Sequence, residues 1–279
     1  MIKSSLLGLG LLLAGSSGAQ YYYKDIIGTR ETAELMKTYQ ANKVNRVVLS
    51  SFDAKNTKSE DFFVEQKYLP ATRTLQTITR SGVSNESILL SYINDAGQVV
   101  QTVDSSETLV SRTEYQYDGS GQLVAVVSTS TDALKQSSLT EAHYWQYEGS
   151  KPKRMLRVKN GVDTTVIDFN LDAKGNVIEE TSTRKGVRSE PVQYYYDEQN
   201  RLTDVVRYNP KARKLLPEYM FSYSDNNQLI QKITVPAHSS DYLIWRFRYD
   251  EKGLKTKEAV YNKQKQLTGT IEYQYSFGS

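Results

Sequence analysis

One short phrase returns along this chain at nearly constant spacing, and it restricts the fold more than any other feature. It reads "YQYD" at 115–118, "WQYE" at 145–148, "FNLD" at 169–172, "YYYD" at 194–197, "FSYS" at 221–224, "FRYD" at 247–250 and "YQYS" at 273–276. The fourth residues are separated by 30, 24, 25, 27, 26 and 26 positions. The first slot is aromatic in all seven copies and the third is tyrosine in six, Leu171 being the exception. Weaker copies end at Asn94 and Asp53. Self-similarity at such a period means one supersecondary unit stacked repeatedly on itself.

Each part of the phrase has a physical role. In an extended chain residues i and i+2 share a face, so Tyr115 and Tyr117 point one way and Gln116 the other. The acid that follows folds its carboxylate onto backbone N–H groups two residues on and ends the strand in an Asx-type turn. Three residues later stands Gly97, Gly121, Gly175, Asn200, Asn227 or Gly253, the residue types that tolerate the positive φ of a tight hairpin. An apolar residue then starts the next strand, as in Leu123, Val177, Leu202 and Leu229. One repeat is thus a β-hairpin. The chain is expected to be all-β: a single large antiparallel, curled sheet of about sixteen strands built from consecutive hairpins, coiled as a half-barrel or spiral because wide open sheets curl.

Aromatic-x-Tyr-Asp, a Gly or Asn turn and a Leu or Val restart resembles the YD repeat of Rhs-type and teneurin-type proteins, over about residues 90–279. The resemblance implies hairpin arrays that wind a β-shell, in some cases linked with carbohydrate binding. The toxin and core domain of cargo-bearing members have no counterpart here, and the repeats are too few to enclose a folded domain.

Ahead of the repeats, "MIKSSLLGLGLLLAGSSGAQ" places Lys3, an apolar run from Leu6 to Ala14 and small residues in the order of a secretory signal. Cleavage is expected between Ala19 and Gln20. The apolar run is shorter than the roughly 20 residues a membrane span needs. The expected organisation is a signal peptide at 1–19, a lead segment with one helix at 20–43, and an antiparallel β-repeat domain at 44–279. "GTRETAELMKTYQANK" (28–43) is that helix, with Thr29 as its cap. Strands follow at 44–52, 60–68 and 72–79. The chain has no cysteine, which excludes disulfides, zinc–thiolate sites and thiol nucleophiles. Without the leader, 34 basic residues face 32 acidic ones, a balance that argues against nucleic acid as a partner.

Catalytic or metal-binding constellations are not expected, nor is any cofactor. His238, Ser239 and Asp241 crowd one loop, where a nucleophile–base–orienter triad seldom assembles, and His143 sits in a strand without ligand spacing. Asp118, Glu148, Asp172, Asp197 and Asp250 occur one per hairpin and read as turn residues rather than as a glycosidase pair. The clusters "KPKR" (151–154) and "KARK" (211–214) read as solvated loops. Signal, strand count and tyrosines fit an outer-membrane barrel superficially, but charges on both faces of segments such as "NVIEETSTRKG" argue against its lipid-facing alternation. Aromatic rings on a concave face would suit a ligand, and Trp145, Tyr147, Tyr196 and Tyr223 are the candidate ligand face. The leading expectation is a non-enzymatic exported protein presenting a binding or scaffold surface, with glycan or an envelope component as partner. The alternative is a periplasmic lipid or lipoprotein carrier with a LolA-like curved sheet, and a secreted hydrolase is the third reading. Contact with a membrane periphery and dimerisation through open edge strands belong to the same set of expectations.

Overall fold

The computed structural model describes residues 21–278 apart from 83, 133, 135, 211 and 237–240. Ala19 and Gln20, with the rest of the expected leader, lie outside the described residues, as do His238 and Ser239.

A single helix, α1 (Lys24–Ala41), precedes nineteen strands. The first nine are β1 (Val44–Asp53), β2 (Phe62–Leu69), β3 (Thr74–Ser81), β4 (Ser84–Ile93), β5 (Val99–Ser105), β6 (Leu109–Tyr117), β7 (Leu123–Asp132), β8 (Ser138–Glu148) and β9 (Lys151–Lys159). Next come β10 (Asp163–Leu171), β11 (Val177–Arg184), β12 (Val187–Arg188), β13 (Val192–Tyr196), β14 (Leu202–Asn209) and β15 (Lys214–Tyr223). The last four are β16 (Leu229–Thr234), β17 (Leu243–Tyr249), β18 (Lys255–Tyr261) and β19 (Leu267–Phe277).

Strands pair antiparallel with their chain neighbours, and β1 also pairs with β19 along Val44–Asp53 and Gly269–Phe277. Two short segments, β12 and β13, share one place beside β11, so nineteen segments form an 18-strand closed barrel. The expected open, curled sheet is therefore corrected. An even number of staves lets an up-and-down meander close with an antiparallel seam, and closure pairs the N–H and C=O groups that two free edges would expose. The seam uses the two outermost strands, the edges through which a dimer was expected to form.

The hairpins follow the motif chemistry. Asp118 accepts from the backbone N–H groups of Ser120 and Gln122, at 2.9 Å each, and Asp197 and Asp250 repeat the pattern. Gly121 has φ +83° and Asn200 φ +61°, the left-handed conformation these turns require. After each turn the incoming strand carries one extra residue, such as Val124, Thr203 or Ile230, and this bulge adds local twist at the rim. Above the bulge, the third-slot tyrosine reaches back to the preceding repeat. Tyr117 donates its O–H to the carbonyl of Val99, Tyr147 to Leu123, Tyr196 to Val177, Tyr223 to Leu202, Tyr249 to Leu229 and Tyr275 to Lys255, all at 2.7–3.0 Å. Leu171 has no hydroxyl, and its place is the one gap in this ladder.

The helix lies inside. Tyr22 meets β11, Asp25 meets β8, Tyr39 meets both β2 and β19, and Tyr21 meets β15. No element on the outside could touch strands so far apart around the ring. Met36 and Tyr39 join Val47, Leu49, Val64 and Ile271 in one core, while Tyr21–Tyr23 and Ile26 pack on a second built from Trp145, Met155, Ile167, Phe169 and Tyr194. The outer wall is charged along its length: Arg46 with Glu65, Arg80 with Glu86, Arg112 with Glu114, Arg154 with Asp168 and Lys257 with Glu272.

Candidate functional site in the plugged lumen

A barrel of this strand number leaves an aqueous lumen unless something fills it. Here the filling is α1, 18 residues and therefore about 27 Å long. Its start is not set by Thr29, whose hydroxyl bonds back to the carbonyls of Asp25 and Ile26. Instead the N–H groups of Tyr22 and Tyr23 donate to the buried carboxylate of Glu180 on β11 at 3.0–3.1 Å. Burial raises the Glu180 carboxyl, and the hydrogen bonds from these two amides pull against that rise.

One turn further, α1 is tied to β8. The Nδ1 of His143 lies 2.6 Å from Asp25 Oδ2, its Nε2 lies 3.0 Å from Glu141 Oε1, and Arg157 Nη2 donates to Glu141 Oε2 at 2.6 Å. Trp145 Nε1 donates to the same Asp25 oxygen at 3.3 Å, and the Tyr22 ring stands edge-on to the imidazole. Burial on its own would lower the His143 pKa. The bonds and charges of Asp25 and Glu141 outweigh it and raise the imidazole to about 9. The His143 hydrogen bond, with Arg157 behind it, holds Glu141 down to about 2 against its burial. Both imidazole nitrogens are occupied by carboxylates, so His143 is a clasp and not an available base.

The opposite side of the lumen is organised differently. Of the first-slot aromatics, Trp145, Phe169 and Tyr194 are 4%, 5% and 2% exposed, whereas Tyr115 and Tyr273, and on β15 and β17 Phe221 and Phe247, are half-buried. Around the latter two stand Tyr219, Tyr223, Tyr249 and Tyr273, together with Lys232 and Lys255. Lys232 Nζ lies 5.4 Å above the Tyr219 ring, and Lys255 Nζ lies 4.5 Å above Phe247 while bonding Glu258 at 2.8 Å. Tyr273 donates to the same Glu258 oxygen. Facing them from α1 is Glu31. It is exposed to solvent, yet enclosure by the wall raises its carboxyl, with Lys232, Lys255 and Lys24 opposing. Enclosure likewise lowers the Lys232 ammonium, which Glu31 partly restores. Groups that touch water while walled in by protein stand in a hollow, here between α1 and β15–β18.

The four residues expected to form a ligand face all point inward but are not gathered in one place. Trp145 is core, stacked on Phe169 with ring centroids 5.1 Å apart. Tyr147 and Tyr196 serve the carbonyl ladder and flank Tyr23 of the plug. Only Tyr223 borders the hollow, where Arg201 lies 4.9 Å above its ring. Sequence reasoning missed Asp25, Glu141, Arg157, Glu31 and Lys232. The phase of Glu141, His143, Trp145 and Tyr147 places them on one strand face, but no local pattern says that a helix acid meets them. Asp241, from the loop once weighed for a triad, pairs with Lys263 at 2.7 Å. Among the described residues no group of three His, Cys, Asp or Glu side chains has the geometry to hold a metal.

No family model matches this chain, and no curated protein matches it. Solved structures similar to it include the crystal structure of TcdB2-TccC3-Cdc42, at 14% identity and TM-score 0.35, over 77% of this chain and 12% of that one. A Photorhabdus luminescens Tc holotoxin pore is similar at 14% identity and TM-score 0.35, over 78% and 12%. A porin-like protein from Bacteroides uniformis is similar at 9% identity and TM-score 0.39, over 84% of this chain and 98% of its own. The chain thus spans about an eighth of the toxin chains and nearly the whole of the porin-like one.

Proposed function

We propose that this protein is a non-enzymatic, exported binding barrel of YD-type hairpins whose ligand occupies the hollow between α1 and β15–β18. The single observation that supports it most is the placing of two opposite charges, Lys232 on the inner wall and Glu31 on α1, beside the half-buried rings of Tyr219, Phe221, Tyr223 and Phe247. Rings that half-face water next to charged groups suit a glycan, whose C–H faces stack on tyrosine while its acid groups meet Lys232 and its hydroxyls meet Glu31. An acyl chain would have to desolvate those same charges, which disfavours the lipid-carrier reading. Charged ladders on the outer wall favour water, rather than lipid, around the barrel. The imidazole clasped between Asp25 and Glu141 argues against hydrolysis through His143.

Trp245 on β17 is buried on the inner wall as the cross-strand partner of Lys232, so it is a built-in reporter of what happens there. In a Trp145→Phe background it is the remaining tryptophan. Titration with a panel of neutral and uronic oligosaccharides should give saturable fluorescence changes. Lys232→Ala and Tyr223→Ala should each weaken binding at least tenfold. A flat response across the panel, with an acyl lipid co-purifying in native mass spectrometry, would instead establish the carrier. Reproducible turnover abolished by a point mutation would refute both.

A further inference from the structure

The outer wall carries a groove that is separate from the lumen. Three strands, β17, β18 and β19, present outward rows in register: Arg248, Lys257 and Glu272; then Arg246, Ala259 and Thr270; then Ile244, Tyr261 and Leu267. Small residues at the centre of such a grid leave a depression, and the groove lined by Arg246, Arg248, Lys257, Ala259, Tyr261, Leu267 and Thr270 has a volume of 280 Å³. Its charge is out of balance. Elsewhere on this wall Arg46, Arg80, Arg112 and Arg154 each meet a carboxylate. In the groove Glu272 answers Lys257 at 2.8 Å, while Arg246 and Arg248 have no carboxylate partner among the described residues. Arg246 is also pre-positioned, its guanidinium 5.2 Å from the Tyr261 ring centroid. Stacking fixes the plane of the fork and leaves its N–H edge to receive an oxyanion.

We infer that this groove binds the oxyanion of a small ring-bodied molecule, a sugar carrying a carboxylate, sulfate or phosphate. The anion meets Arg246, Arg248 and Lys257, and the ring lies on the Ala259–Thr270 floor against Tyr261 and Leu267. The volume sits at the lower end for ligand pockets, which fits one ring and excludes a lipid body. Neutralising two uncompensated arginines gives the site its affinity and makes it sensitive to salt.

Calorimetric titration of the full mature chain with glucuronate, inorganic phosphate and glucose tests the assignment. Glucuronate should bind at least tenfold more tightly than phosphate, and glucose should not bind. The Arg246→Gln/Arg248→Gln double variant should lose at least tenfold, and Lys257→Gln should lose less because Glu272 already pairs with it. Arg112→Gln, on the same wall but paired with Glu114 away from the groove, should leave glucuronate binding unchanged. These positions are at the surface, and matching melting curves confirm that the variants fold. Phosphate binding as tightly as glucuronate would remove the ring from the proposal. Unaltered binding by the double variant, equal binding of glucose, or no binding of any probe would overturn the site.

Discussion

His143 shows how far one side chain's role depends on what the fold brings to it. In the sequence it is a strand histidine beside Tyr144 and Trp145. In the barrel it is an imidazolium held between Asp25 and Glu141, 118 and 2 residues away. Its raised pKa carries a sign. Stability from the charged form is fully present below the unfolded value of about 6.5 and is lost as pH rises through about 9, a change of about 3 kcal/mol. Glu141, held down to about 2, contributes above its unfolded value and is lost as pH falls through about 2. Urea unfolding at pH 6 and pH 10 should show this alkaline decline, and His143→Gln should abolish most of it. The same variant at pH 6 should be less stable by about 3 kcal/mol, because buried Asp25 and Glu141 then lack their cation. The four tyrosine and tryptophan positions read as a ligand face were legible as inward-facing from their period of two. Whether each ring is dry or wet depends on where α1 lies, which no strand encodes.

At the level of the hairpin, almost everything was legible, because every device acts over fewer than 30 residues. The acid, the left-handed Gly or Asn and the apolar restart are neighbours in the chain, whereas the bulge beside the turn shows only in the strand register. Nor was the reason the third slot is tyrosine legible. Its hydroxyl has a partner only when the previous hairpin lies alongside, and the six O–H bonds to preceding carbonyls supply that reason. Tyr223→Phe keeps the ring and removes one such bond, so chemical denaturation should show a loss of about 1 kcal/mol. Gly121→Ala places a Cβ on a backbone with φ +83°, with the Gln98 amide 3.2 Å away. It should lower stability by about 1–2 kcal/mol in the same measurement. The helix was legible as a helix over 28–43, but it begins four residues earlier. Its first turn is organised by Glu180, 158 residues away, rather than by the local cap at Thr29.

For the whole molecule the decisive contact is the seam between β1 and β19. Ser50 and Glu272 are cross-strand partners on its outer side. Since the chain has no cysteine, Ser50→Cys/Glu272→Cys should form one intramolecular disulfide on mild oxidation, seen as a mobility shift without dimer; an open sheet would leave both thiols free. Sequence alone determined that the chain is a meander of antiparallel hairpins with aromatic residues on one face, because turn chemistry and side-chain alternation are properties of adjacent residues. Tertiary structure alone decided that the meander closes, that a helix fills one side of the lumen and leaves a wet hollow on the other, and that His143 becomes a clasp. Those outcomes depend on strand count, cumulative twist and pairings more than 200 residues apart, which are set by the summed geometry of the whole ring and not by any one of its repeats.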